Sequence, residues 1–333
     1  MSYSNDRRYQ RRQQRRSIFS GMKLRLLIGG AIVLFSLFRF YAKGQTNPIT
    51  GKTQRVDMTV DQEVRMGLQS APSMGPVSRD ARSARRVEEV GRILVNSLEQ
   101  ALYAKNVRNP YQFDFHLLAD RKQINAFALP GGQVFITEAL YHQLTTEDQI
   151  AGVLGHEIGH VIERHGSERM AKGGLVKGLV GAAGVMGGGT SSASAASYVG
   201  NVMQMKYGRG DELESDEWGV KLMLLAGYNP RELLGVMDVL EKSAGGGAGP
   251  EFMSTHPRPA NRKKYIEEIL ASLPDEYRNG IGRAPQQRSQ IPPRQRGGGL
   301  NIDPNVNLDL DQGGQRNQRG LNIDPNVNLD LDR

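Results

Sequence analysis

The sequence contains no cysteine among its 333 residues. This absence excludes disulfide bonds, cysteine zinc ligands, a thiol nucleophile and a lipid anchor attached through cysteine. Aromatic residues are also scarce, at 6% of the chain, whereas 40 glycines and 15 prolines are more than one compact domain uses. Because the glycines and prolines cluster, they predict flexible segments around a folded middle.

The positive charge is concentrated at the N-terminus. The formal net charge is +8, and residues 1–25 hold eight basic side chains against a single acidic one, Asp6. Up to Arg16 this stretch offers only Tyr3 and Tyr9 for stacking on nucleic-acid bases. We therefore expect a basic tail beside a membrane and no nucleic-acid partner.

An apolar segment follows the basic tail and is long enough for a short transmembrane helix. Its uncharged run extends from Leu26 to Phe38, flanked by Arg25 and Arg39. The positive-inside rule places the tail in the cytoplasm and the rest of the chain on the exported side, in the periplasm or its equivalent. The region Arg39–Lys43 lacks the small-x-small pattern that a signal peptidase requires. We therefore predict an uncleaved, single-pass signal anchor rather than a cleaved signal peptide. A mitochondrial presequence followed by an inner-membrane span remains an alternative.

Composition divides the chain into five segments. We predict a basic cytoplasmic tail over 1–21, a transmembrane signal anchor over 22–42, a linker over 43–78, a folded domain over 79–275 and a disordered tail over 276–333.

The C-terminal tail contains an internal duplication. The 13 residues from Gly299 to Asp311 recur letter for letter from Gly320 to Asp332. Two copies are too few for a solenoid, which needs about three or more repeats. We predict a solvated acidic tail that carries two identical short linear motifs. Docking of a partner or calcium binding by their alternating Asp and Asn residues is a weaker hypothesis.

Apolar spacing within the folded domain predicts helices and a few strands. Apolar residues recur at helical spacing from Val87 to Leu102, and Thr145 with Asp148 matches a helix capping box. The turn Pro130–Gly132 is typical of a hairpin. The predicted strands are Phe113–Leu118, Asn125–Leu129 and Gln133–Ile136, and the further predicted helices are 61–68, 145–165, 211–226, 231–242 and 259–271. Together they predict an α+β fold, mainly helical, with a small antiparallel sheet packed on the helices.

The most informative motif is the pentapeptide His156–His160, with the sequence His-Glu-Ile-Gly-His. Residues four apart lie on one face of a helix, so His156 and His160 can bind one zinc ion. Glu157 lies one position round the helix, where it can act as the general base toward a metal-bound water.

Three glycines recur at spacings of three and four along the same helix: Gly152, Gly155 and Gly159. Each costs a helix about 1 kcal/mol relative to alanine. We therefore expect another segment to approach this helix closely.

A catalytic zinc ion needs a third protein ligand, which without cysteine must be a carboxylate or another histidine. An acidic segment later in the chain provides candidates, and spacing alone leaves Glu212, Glu214 and Asp216 comparable. Glu212 and Asp216 would share one helix face. His165 is five residues after His160 and points about 140° away from the ligand face, so we predict a structural role for it.

These motifs, in this order, resemble those of the membrane-associated zinc endopeptidases that include HtpX and the CAAX prenyl proteases, within the gluzincins. The resemblance covers about residues 79–270 and rests on four stretches, Asn125–Ile136, His156–His160, Glu212–Asp216 and Ser254–Arg262. It implies a zincin-type metalloprotease domain that binds one zinc ion per chain and hydrolyses peptide bonds in protein or peptide substrates.

The resemblance also implies roles for individual residues. It makes Glu212 the third zinc ligand and Asp216 a partner that orients a ligand. His256 matches a histidine that stabilises the oxyanion, with a turn histidine ahead of a helix as the plainer alternative. Arg262 braces the site. The residues implied to form a substrate-binding edge strand are Asn125, Ala126, Phe127 and Ala128.

The expected function is a zinc-dependent endopeptidase in membrane or envelope protein quality control. The alternative is a non-proteolytic scaffold or holdase that keeps its zinc, although the presence of Glu157 favours the enzyme. Two features depart from the family pattern. Ser215 stands where an alanine is common, and HtpX-type members span the membrane several times. The 14 residues of Gly173–Met186 are too few to cross a bilayer, so we predict a lid or a helix dipping into the surface.

Overall fold

The computed structural model describes residues 4–42, 44–187, 206–244, 251–256, 261–273, 307–308 and 328–329. Contacts divide the chain into two units. The anchor unit comprises residues 1–45, 55–57 and 168–202, and the main unit comprises residues 46–54, 58–167 and 203–333. The predicted division into five segments stays a prediction. Most of the predicted disordered tail lies outside the described residues.

The anchor unit contains the apolar N-terminal segment as part of helix α1, Ser4–Ala42. Within the described residues, Met22–Ala42 is the one helical stretch whose length and composition would allow it to cross a membrane. Its large apolar side chains are exposed, as expected for a surface that faces lipid rather than a protein core. Ser36 of α1 contacts Gly178, which has no side chain to hold the two segments apart.

The N-terminal helices of the main unit begin at side-chain caps. Helix α2, Val60–Ser70, starts at Thr59, which forms a reciprocal capping box with Gln62. Helix α3, Ala81–Ala104, starts at Asp80, whose carboxylate accepts hydrogen bonds from the backbone at Arg82 and Ser83. The apolar stripe predicted for α3 is buried, and it forms one side of the core.

Helix α5, Glu147–Ile162, follows the short helix α4, Glu138–Tyr141. Its N-cap is Thr146, whose side chain accepts from the backbone of Gln149, so the cap lies one residue beyond the predicted Thr145. Every residue from Gln149 to Ile162 is buried. A helix buried on all sides needs several neighbours, and it packs against α3 and the later helices of the main unit.

The predicted continuation of α5 to His165 is wrong. The helix ends at Ile162, and Arg164 adopts a left-handed conformation with φ of 56°. A non-glycine residue in this region is uncommon, and here the buried Arg164 side chain is held by Glu63 and by the carbonyl of Met58. His165 therefore begins a new helix, α6, His165–Gly187.

The sheet is mixed. The predicted α+β fold is confirmed, but the prediction that its sheet is antiparallel is wrong. Its strands are β3, Asp114–Leu118, β4, Ala126–Ala128, and β5, Gln133–Thr137, after two short strands, β1, Gln45–Thr46, and β2, Thr53–Gln54. The predicted hairpin is present, because β4 pairs antiparallel with β5. However, β5 lies between its two neighbours and pairs with β3 in parallel. Apolar patterning identifies strands but does not determine their order.

Four helices follow in the second half of the described sequence. They are α7, Arg209–Ala226, α8, Glu232–Ala244, α9, Glu251–Thr255, and α10, Arg262–Ser272. The three predicted helices correspond to α7, α8 and α10, with ends displaced by up to three residues. In the tail, β6, Asn307–Leu308, pairs in parallel with β7, Asn328–Leu329, which joins equivalent positions of the two copies.

The glycines of α5 allow α7 to approach closely, as the sequence predicts. A Cβ on Gly155 would lie 3.2 Å from the Cα of Gly219, and one on Gly159 would lie 3.0 Å from the Cα of Ser215. Side chains at these positions would push the two helices apart. This contact brings the histidines of α5 to the acidic face of α7.

Candidate metal centre

Facing side chains of α5 and α7 form a compact cluster of potential metal ligands. The Nε2 atoms of His156 and His160 are 3.1 Å apart. Glu212 of α7 places one carboxylate oxygen 3.6 Å from Nε2 of His156 and the other 3.5 Å from Nε2 of His160. All three side chains are buried. The structure thus brings Glu212 to the histidines, and Glu214 does not join this cluster.

The outer nitrogen of His156 faces Asp216, one turn along α7 from Glu212. Its Nδ1 lies 2.9 Å from Oδ1 of Asp216. Arg262, at the start of α10, donates to both oxygens of Asp216, at 2.6 and 2.7 Å, and to Glu212 at 2.6 Å. The guanidinium therefore holds the two carboxylates in fixed positions, which agrees with the bracing role implied for it.

The structure places His165 beside the cluster, although its spacing predicts a position away from the ligand face. Its Nδ1 is 3.0 Å from Nδ1 of His160. The discrepancy arises because the 140° angle assumes an unbroken helix, whereas α5 ends at Ile162 and Arg164 is left-handed. Nothing in the sequence identifies this turn, because Arg164 is not a residue type that favours it.

Glu157 is fully buried next to the cluster, as its position in the motif requires. Its Oε1 lies 3.7 Å from Nε2 of His256. It is close to the candidate ligands without being one of them, which is the arrangement expected of a base that acts on a metal-bound water.

His256 approaches the cluster from the end of α9. Its Nδ1 is 3.1 Å from Oε1 of Glu212 and 3.4 Å from Nε2 of His156. His256 therefore belongs to the group of potential ligand atoms, all within 4.8 Å of one another, that also includes His156, His160 and Glu212. The oxyanion role implied by resemblance stays a prediction, and this position is also within reach of a metal.

Tyr207 contributes to the site and was not anticipated from the sequence. Its ring stacks on that of His160, with centroids 3.9 Å apart and planes inclined by 28°. Its backbone N–H donates to the carbonyl of Thr255 at 2.9 Å, next to His256. An isolated tyrosine ahead of a helix carries no pattern that reveals such a contact.

The electrostatic environment favours the protonation states that a metal requires. Burial alone would raise the pKa of Glu212, but the nearby His256, His160 and Arg262 hold it well below its usual range. Burial also opposes ionisation of Asp216, but Arg262 lowers its pKa. Burial lowers the pKa of His160 well below its usual value. Ionised carboxylates and neutral imidazoles are the forms that bind metals.

The predicted substrate-binding residues lie on β4 and just before it. Strand β4 pairs with β5 on one side, and no described strand pairs with its other side. Asn125 anchors the start of the strand, because its backbone N–H donates to Oγ1 of Thr137 and its carbonyl accepts from the backbone N–H of Thr137. The strand also packs against α5, which carries the histidines.

The donor set fits a metal ion by its chemistry. Two imidazole nitrogens and one carboxylate, all buried and converging, are the three protein ligands found in one class of catalytic zinc sites. The outer contacts to His156 and Glu212 also match the way in which proteins orient metal ligands.

The profile of Peptidase family M48 matches residues 84–270, which is more than half of the chain. The chain belongs to peptidase family M48. M48 members are metallopeptidases, in agreement with the buried cluster of candidate ligands. The comparisons identify the family as a whole and do not single out its HtpX and CAAX prenyl protease branch. The candidate span Met22–Ala42 favours membrane association of this M48 peptidase.

Named relatives of this M48 chain come from bacteria and mitochondria. The beta-barrel assembly-enhancing protease of Yersinia pestis is 28% identical over 229 residues, which are 65% of this chain and 45% of the relative. The Escherichia coli K12 protein of the same name is 27% identical over 236 residues, or 67% and 47%. The mitochondrial metalloendopeptidase OMA1 of Schizosaccharomyces pombe is 27% identical over 256 residues, or 74% and 70%. The chain thus spans less than half the length of the two bacterial relatives.

Proposed function

We propose that the chain is a zinc-dependent endopeptidase with one zinc ion per chain. The observation that carries the proposal is the convergence of the two Nε2 atoms of His156 and His160 with the carboxylate of Glu212, beside the buried Glu157. Imidazole and carboxylate ligands in this number favour zinc in a site that keeps one position open for water.

Glu157 is the proposed general base. A bound zinc ion would polarise the scissile carbonyl and lower the pKa of a bound water toward 7. Glu157 would take a proton from that water and return it to the leaving amine. His256, whose Nε2 lies 3.7 Å from Oε1 of Glu157, would donate a hydrogen bond to the oxyanion.

The proposed substrate is a polypeptide in extended conformation. The predicted edge strand comprises Asn125, Ala126, Phe127 and Ala128. Its side that pairs with no described strand would offer main-chain groups of β4 to such a segment. Strand addition recognises the main chain more than the side chains, so it suits an enzyme that cleaves many unfolded sequences.

The proposed setting is quality control of membrane or envelope proteins. The names of the bacterial relatives refer to assembly of β-barrel proteins, and OMA1 is named as a mitochondrial metalloendopeptidase. The arginine-rich tail supports a cytoplasmic N-terminus, with the main unit on the exported side. Within M48, the motifs support kinship with the HtpX and CAAX prenyl protease branch. The one candidate span found among the described residues supports a single-anchor member.

The test compares the purified full-length chain with its Glu157→Gln variant in detergent, measuring bound zinc and cleavage of casein. We expect about one zinc per chain in both proteins, and a loss of cleavage of at least about 100-fold in the variant, because removal of a general base costs about that much. Glu89→Gln, on the exposed face of α3, is the matched control and should cleave normally.

Two outcomes would contradict the proposal. If the wild-type chain bound no stoichiometric zinc, the proposed zinc site would be wrong. Zinc without cleavage in the wild type would favour the scaffold or holdase, which needs the metal only for its structure.

A further inference from the structure

A histidine that binds a metal through one ring nitrogen needs a hydrogen-bond acceptor for the other. That partner fixes the tautomer and the direction of the ring. For His156 the acceptor is Asp216, at 2.9 Å from Nδ1. His160 has no carboxylate at its Nδ1 among the described residues. The group that faces it is the imidazole of His165, at 3.0 Å.

The hydrogen bonds of His165 continue outward to a carboxylate. Its Nε2 lies 3.0 Å from Oε2 of Glu214, and Nζ of Lys52 lies 3.4 Å from the other oxygen of Glu214. His165 is buried, whereas Glu214 is half-buried. A row of polar groups thus runs from His160 through His165 to Glu214.

The tautomers along this row follow from the proposed metal site. If Nε2 of His160 binds the metal, its Nδ1 carries the proton and donates it in a hydrogen bond. Nδ1 of His165 must then be the acceptor, which leaves the proton of His165 on Nε2, where it donates to Glu214. Every donor in the row meets an acceptor in this assignment.

The fold holds His165 in this position through contacts at the end of α5. Glu163 accepts from Nε1 of Trp218 at 2.8 Å, and its carbonyl accepts from the side chain of Gln54. The left-handed Arg164 then turns the chain so that His165 faces back to His160. Ser215 adds a contact from α7, with its Oγ 3.3 Å from Nδ1 of His165.

We propose that His165 is a positioning residue of the metal centre, which fixes the tautomer and orientation of the ligand His160 and connects it to Glu214. The inference rests on the proposed zinc site. It assigns to His165 the part that Asp216 plays for His156, with an imidazole inserted between the ligand and its carboxylate.

Two variants whose side chains have the same number and branching of heavy atoms isolate the acceptor. In His165→Asn, Oδ1 takes the place of Nδ1 and can still accept from His160. In His165→Leu, a methyl group stands there. Zinc affinity of the full-length chain is measured in detergent by competition with a chromophoric chelator. We expect His165→Leu to bind zinc about 10–100-fold more weakly than the wild type, and His165→Asn to recover most of that loss.

The melting temperature of each metal-free protein separates positioning from general stability, and His116→Leu, which removes a histidine of β3, serves as control. Equal zinc affinity in the wild type and His165→Leu would overturn the inference, and so would equal weakening in the Asn and Leu variants. Absence of zinc from the wild type would instead overturn the proposed function.

Discussion

Arg262 occupies a position where a single side chain compensates two buried negative charges. It donates to Glu212 and to both oxygens of Asp216, and all three side chains are almost completely buried. A buried pair of this kind adds little to stability compared with apolar residues, but its disruption is costly because the remaining charges stay uncompensated.

We therefore expect Arg262→Met to lower the free energy of unfolding of the metal-free chain by about 3–5 kcal/mol. Methionine keeps much of the length of the side chain and removes its charge. Urea unfolding measures the loss. Arg92→Met is the control, because its ion pair with Glu88 is exposed on α3 and should contribute less than about 1 kcal/mol. Equal effects of the two substitutions would show that the carboxylates do not depend on Arg262.

At the residue scale, the sequence predicted only part of the site. A five-residue motif on one helix is enough to place His156, Glu157 and His160, because helical geometry relates positions four apart. The spacing left Glu212 equivalent to its acidic neighbours, since the choice depends on how α7 is rotated toward α5. The predicted position of His165 was wrong, because the true position depends on the backbone conformation of Arg164.

At the scale of elements, the close approach of α5 and α7 determines the distance between the histidines and Glu212. Gly159 lies at this contact, and a Cβ there would be 2.9 Å from Cβ of Trp218. Overpacking between two buried helices forces a shift of the backbone. Such a shift would separate the candidate ligands as well as destabilise the fold.

Gly159→Ala should therefore reduce stability by about 1–3 kcal/mol, although alanine is the better helix former. The control is Gly210→Ala in the first turn of α7, where a Cβ would meet nothing within 4 Å. That substitution should leave stability unchanged or raise it by at most about 1 kcal/mol. Thermal unfolding of the two variants compares them directly. A stabilised Gly159→Ala would mean that the helices are packed less closely than described.

Periodicity predicted the helices and strands well because each pattern reflects which face of an element is buried. It did not predict that β5 lies between β3 and β4, since strand order depends on contacts between distant parts of the chain. The end of α5 was missed for a similar reason. Helix propensity continues past Ile162, and the turn there is held by contacts of Arg164 with Glu63 and Met58.

At the scale of the whole molecule, the proposed orientation across the membrane, with the N-terminus in the cytoplasm, can be tested by labelling introduced cysteines. Because the chain has no cysteine, any introduced cysteine is its only thiol. In spheroplasts that express the chain, Glu89→Cys in the main unit should react with a membrane-impermeant maleimide. Gln10→Cys in the basic tail should react only after lysis. The reverse pattern would place the main unit in the cytoplasm.

At this scale, composition alone was enough to identify the candidate membrane span, because length and hydropathy are the criteria for such a helix. It was less informative about the duplicated tail. The pairing of Asn307–Leu308 with Asn328–Leu329 joins equivalent positions of the copies, which a search for separate linear motifs does not anticipate. The partner expected for these copies stays a prediction.

The dependence of the centre on Arg262 has a consequence for biosynthesis. His156, His160, Glu212 and Asp216 all precede Arg262 in the sequence, so a ribosome makes the acidic residues well before their counter-charge. Until α10 has been translated, two carboxylates would have to be buried without compensation, which strongly disfavours closure of the core around them. The order of translation thus delays assembly of the candidate metal centre until α10 has been made.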